Sequence, residues 1–115
     1  MILDEMYKNI GDRAKNPAPN SFTNLLLDGG KERICKKVGE EATEVVIAAM
    51  KEDKQELIGE ISDLVYMTLV LMYERGVTPQ EVAAKLQERQ KVTGNIRKKA
   101  TLQFPSDTQN KENGV

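Results

Sequence analysis

The sequence predicts an all-α protein, a small bundle of about four main helices completed by dimerisation. Three observations carry this expectation. Apolar residues recur at spacings of three and four as far as about Leu86. Helix start and stop signals fall at helix-length intervals, notably Asp53-x-x-Glu56, Gly76 and Thr78-Pro79-Gln80-Glu81. Between Leu64 and Met72 apolar side chains point in nearly every direction around the helix axis, which one small chain can scarcely cover by itself.

The first helix follows from Leu3, Met6, Tyr7, Ile10 and Ala14, and ends in the turn Asn16-Pro17-Ala18-Pro19-Asn20. Asn20 or Ser21 can cap a short apolar segment, Phe22 to Leu27, which Gly29-Gly30 should terminate. A second long helix is expected from Lys31 to about Lys51, with a stripe of Ile34, Cys35, Val38, Ala42, Val45, Val46 and Ala49. Asp53 caps the next helix while Glu56 reaches back to it; that helix runs from Lys54 to Arg75 and stops at Gly76. Thr78 and Pro79 open a last helix carrying Val82, Ala83 and Leu86, which weakens near Gly94.

A chain of 115 residues suffices for one core. One helical domain is expected over 1–100 and a mobile polar tail over 101–115. Charged residues make up 30% of the chain, yet the net charge is −1, so nothing supports general attraction to nucleic acid or an acidic membrane. The apolar run Leu64 to Tyr73 is far shorter than the roughly 20 residues that span a bilayer, and a soluble cytoplasmic protein is expected. With no histidine and a single cysteine, Cys35, a His-based triad, a Cys/His zinc site and an internal disulfide are excluded.

Two acidic clusters stand out, Glu40-Glu41-Ala42-Thr43-Glu44 and Glu60-Ile61-Ser62-Asp63. Residues three apart share a helix face, so Glu41 projects with Glu44 and Glu60 with Asp63. Glu41 lies only about 20° from Ile34 and about 40° from Val45 around the axis, at the border of the apolar stripe. Glu60 is flanked by Leu57, Leu64 and Met67. If the two helices pack antiparallel, carboxylates on a half-buried seam converge and need a cation. An oxygen-only donor set points to Mg²⁺, with Mn²⁺ as substitute, and a Glu-x-x-His di-iron site cannot form without histidine. The competing reading is a solvated charge run, with Lys36 and Lys37 four residues before Glu40 and Glu41 as ordinary helix-surface partners.

Magnesium is commonly bound through carboxylates together with substrate phosphates, so a nucleotide or diphosphate compound is the natural substrate. Glu40, or another carboxylate not fully engaged by metal, is a candidate to take a proton from attacking water. Lys37, one turn before Glu41, is a candidate phosphate contact; Arg33 and Lys36 project farther round the helix. Ser21 and Thr23 are candidates for substrate contact or for capping.

The run from Lys36 to Ala49, Lys-Lys-Val-Gly-Glu-Glu-Ala-Thr-Glu-Val-Val-Ile-Ala-Ala, resembles the signature helix of the phosphoribosyl-ATP pyrophosphohydrolase family of histidine biosynthesis. Ser21-Phe22-Thr23, Gly30, Glu60 to Tyr66 and Leu69 to Val77 match in order and spacing, so the resemblance covers about Tyr7 to Arg89. It implies hydrolysis of phosphoribosyl-ATP to phosphoribosyl-AMP and pyrophosphate within the all-α, MazG-like superfamily. It also implies Mg²⁺ on Glu41, Glu44, Glu60 and Asp63, a role in metal binding, base chemistry or helix charge for Glu40, and a helical homodimer. The alternatives are a MazG-like hydrolase of non-canonical nucleoside triphosphates and a non-catalytic helical scaffold. Cys35 stands where an aliphatic residue is expected and is read as core; Met67 stands where relatives often carry histidine; the stretch beyond Arg89 is longer than expected.

Overall fold

The computed structural model describes residues 1–91, and every regular element among them is an α-helix: α1 (Ile2–Lys15), α2 (Phe22–Lys51), α3 (Lys54–Arg75) and α4 (Pro79–Lys91). The expected change of structure near Gly94 and the tail over 101–115 lie outside the described residues. The chain divides into two compact units, Met1–Pro79 and Gln80–Val115. The first holds α1, α2 and α3. Of the second, α4 is the described part, with Glu81 in its first turn and Arg89 and Lys91 in its last, charges that complement the helix dipole.

Helix α1 likewise places Asp4 and Glu5 in its first turn and Arg13 and Lys15 in its last. The turn that follows is fastened by Asn24, whose Nδ2 donates to the Arg13 carbonyl (2.8 Å) while its Oδ1 accepts from the Ala18 amide (2.9 Å). Of the two expected caps the structure selects Ser21, whose Oγ accepts from the Asn24 amide; Asn20 instead takes a left-handed turn conformation (φ 64°).

The short segment breaks at Gly30, within the expected Gly29-Gly30 stop, but the chain re-enters helix at once. It continues into α2 through a kink at Gly30, whose φ of 74° and ψ of −170° are accessible almost only to glycine. The helix therefore has two limbs. At its far end Glu52 is left-handed (φ 62°) and Asp53 accepts from the Glu56 amide at 3.1 Å, as the D-x-x-E pattern predicts. The Glu56 carboxylate does not reach back, because Lys51 Nζ holds it at 3.0 Å across the turn. Gly76 (φ 74°) closes α3, and the Val77 amide donates to the Met72 carbonyl at 2.8 Å.

With only Glu52 and Asp53 between them, α2 and α3 form an antiparallel hairpin: Thr23 meets Tyr66 near one end and Lys51 meets Glu56 at the other. Ile10, Leu26, Ile34, Met67, Leu69 and Val70 make the core where α1 crosses this hairpin, each at most 4% exposed. The Tyr7 ring meets Tyr73 edge-on at 5.8 Å, and a Cβ at Gly11 would lie 3.2 Å from the Tyr73 ring.

One packing expectation is corrected, and one holds for the single chain. Cys35 is exposed rather than core, because the buried line of α2 passes through Ile34 and Ala48. The segment Leu64 to Met72 is not enclosed on all sides within the chain: Met67, Leu69 and Val70 are buried, while Val65 is 37% exposed. Ile58 and Ile61, on the preceding turns of α3, are more exposed still. Met67 packs in the core. No described helix is long and apolar enough to cross a membrane.

Candidate functional site

The antiparallel hairpin sets the two acidic clusters opposite each other. One carboxylate oxygen from each of Glu41, Glu60 and Asp63 lies within 4.8 Å of the others. Glu41 and Glu60 are half-buried and Asp63 is exposed, so the group has two carboxylates rooted in the seam and one at its mouth. The sequence spacing explains why. Glu60 and Asp63 are one turn apart on α3, and Glu41 borders the apolar line of α2 that packs on α3.

The electrostatics are unfavourable for the protein alone. Partial desolvation, then the charges of Glu44, Asp63 and Glu41, raise the Glu60 carboxyl above its ordinary value, and a side-chain hydrogen bond with Glu41 pushes the same way. Glu44, expected as a fourth member, is exposed and lies outside the three-oxygen set, though its charge reaches Glu60. An oxygen-only set that repels itself and stays open on one side fits a hard divalent cation, whose charge would remove the repulsion.

The remaining candidates divide by location. Glu40 lies outside this three-oxygen set and pairs with Lys37 at 3.4 Å, both about half exposed, an i,i+3 surface pair rather than the i,i+4 pair with Glu41 that the competing reading proposed. Lys36 and Arg33 are exposed on the same limb of α2. Arg33 has a structural task as well, since its Nη1 donates to the Leu25 carbonyl at 3.0 Å across the kink. Ser21 is the N-cap of α2.

Thr23 is buried, at 7% exposure, and its hydroxyl is hydrogen-bonded to the Tyr66 phenol. Sequence reasoning missed Tyr66 and Asn24 as the groups that fix the first limb of α2. For Tyr66 the signal was present, because it lies three residues after Asp63 on the face turned to α2.

The family model described as phosphoribosyl-ATP pyrophosphohydrolase matches residues 3–90. The phosphoribosyl-ATP pyrophosphatase of Streptococcus thermophilus is 46% identical over 83% of this chain and 91% of its own length. That of Listeria monocytogenes is 49% identical over 77% of this chain and 85% of its own. The histidine biosynthesis bifunctional protein HisIE of Lactococcus lactis is 48% identical over 82% of this chain, which spans 44% of that longer relative. The matched residues contain both acidic clusters and the whole hairpin that joins them, and the chain belongs to the phosphoribosyl-ATP pyrophosphohydrolase family.

Proposed function

We propose that this chain hydrolyses phosphoribosyl-ATP to phosphoribosyl-AMP and pyrophosphate, with Mg²⁺, or Mn²⁺ in its place, held by Glu41, Glu60 and Asp63 and joined by Glu44. The observation that carries the metal reading is the convergence of three carboxylate oxygens from α2 and α3 within 4.8 Å, in a chain of this family. When bound, the cation neutralises the carboxylates against a polyphosphate and polarises the phosphorus under attack.

The protein's own groups do the rest. Glu41 and Glu60, rooted in the helical seam, hold the donor set rigidly, and Asp63 closes it on the open side. A carboxylate oxygen of the cluster not turned to the cation accepts the proton of the attacking water. Lys37, one turn before Glu41 on α2, supplies a positive charge for a phosphate group of the substrate.

The working unit is a homodimer. Val46 and Met50 on α2 and Ile58, Ile61 and Val65 on α3 leave apolar surface exposed, from 37% to 80%, beside the acidic group; a second copy of this hairpin would cover it. The small-molecule substrate and the absence of a spanning helix among the described residues agree with a cytoplasmic enzyme of histidine biosynthesis. Pyrophosphate release from phosphoribosyl-ATP, compared with ordinary and non-canonical nucleoside triphosphates in the presence of Mg²⁺, tests the reading. Preference for phosphoribosyl-ATP is expected, and absence of its turnover would overturn it.

A further inference from the structure

Upstream of the carboxylates, α2 carries an open groove of about 720 Å³. One side is apolar, formed by Phe22 and Leu25, which are 53% and 55% exposed. The other side is basic, formed by Arg33, Lys36 and Lys37, with Glu32 and Glu40 also at the lining. Exposed apolar side chains next to three cations suit a ligand that joins a flat organic part to an anion.

The backbone builds this groove. Gly30 turns the first limb of α2 through a conformation other residues avoid, and Gly29 leaves room for the Arg33 side chain to cross. A Cβ at Gly29 would collide with Arg33 Nε. With Nη1 held by the Leu25 carbonyl, the guanidinium is fixed across the kink and keeps further N–H donors for a ligand. Lys37 lies about 6 Å and Arg33 about 12 Å along the helix from Glu41. The groove therefore runs along the same helix that supplies the acidic site.

Resting on the reading under Proposed function, we infer that this groove holds the phosphomonoester end of the substrate, the end remote from the anhydride that is cleaved. Phosphoribosyl-ATP has two anionic ends. The polyphosphate can approach the carboxylates because a divalent cation bridges them, whereas a lone monophosphate gains nothing there and finds its counter-charges at Arg33, Lys36 and Lys37. Phe22 and Leu25 then cover the sugar and base between the two ends.

The test is steady-state kinetics of the Lys36→Met/Lys37→Met double variant with saturating Mg²⁺. Phosphoribosyl-ATP is the substrate, and ATP, which carries the polyphosphate without the phosphoribosyl group, is the competing ligand. The Met side chains keep the apolar stems and the helix propensity. KM for phosphoribosyl-ATP is expected to rise about tenfold, the loss typical of charge-assisted hydrogen bonds, while inhibition by ATP keeps its wild-type strength. An unchanged KM overturns the inference. Equal weakening of substrate and ATP also overturns it, because the lysines would then grip the polyphosphate. Wild-type protein that leaves phosphoribosyl-ATP intact while still binding ATP would instead remove the catalytic reading itself, and this inference with it.

Discussion

The Thr23 hydroxyl and the Tyr66 phenol share a hydrogen bond that fastens the first limb of α2 to α3, one helical turn beyond Asp63. Thr23 is buried, so its hydroxyl has no water to replace a lost partner. Tyr66→Phe should therefore cost about 1–3 kcal/mol of unfolding free energy. Thr23→Val in the same chain should recover part of that loss, because removing both polar groups costs less than orphaning one. Urea denaturation of the two single variants and the double variant measures the coupling, and strict additivity would show that the two groups do not interact.

At Gly30 the backbone lies at φ 74° and ψ −170° with open space around the missing Cβ, so strain and not collision governs substitution there. Gly30→Ala should destabilise by about 1–3 kcal/mol. Gly29→Ala acts by another route: its Cβ would displace the Arg33 side chain and free the Leu25 carbonyl. Thermal melts should report the first substitution clearly. A Gly30→Ala chain as stable as the parent would mean that the kink is not a fixed feature of the fold.

Partial desolvation and then the neighbouring carboxylates raise the Glu60 carboxyl above its ordinary value, so the ionised group opposes folding. The penalty is complete above the raised folded-state value and absent below the ordinary unfolded one. Glu60→Gln should raise the Tm of metal-free protein near neutral pH, and the gain should vanish as pH falls through the raised value toward the usual carboxylate range. A gain independent of pH over that interval would assign the effect to packing.

Metal binding should reverse this balance. A cation that binds only the folded state at a hundred times its Kd contributes about 2.7 kcal/mol. Wild-type protein should melt higher on addition of Mg²⁺ or Mn²⁺, while Glu41→Gln and Asp63→Asn should lose that shift and at least a hundredfold of the hydrolysis rate. Circular dichroism should show unchanged helix content, since neither carboxylate is fully buried. Near-normal turnover in either variant would take that residue out of the mechanism.

The exposed apolar line Ile58, Ile61 and Val65 makes a separate prediction for assembly. Ile61→Lys places a charge in that line without touching the chain's own buried core, so light scattering should show the parent as a dimer and the variant as a monomer of lower Tm. A monomeric parent at micromolar concentration would remove the dimer from the proposal.

What the sequence determined by itself was local. Helical periodicity, the caps at Ser21 and Asp53, and the glycine stop at Gly76 depend on residues within a turn or two of one another, and all appear where these residues predict them. The pairing of Glu60 with Asp63 on one face is equally a property of helix geometry. Tertiary structure decided which groups across the hairpin meet. The antiparallel register brings Glu41, but not Glu44, into the set with Glu60 and Asp63, and it seats Thr23 on Tyr66. It also exposes Cys35, which periodicity alone had placed inside, because only a fraction of the apolar stripe finds a partner within one short chain. Periodicity fixes where a side chain points around its own axis, whereas burial and ligand geometry depend on what the neighbouring helix places opposite it.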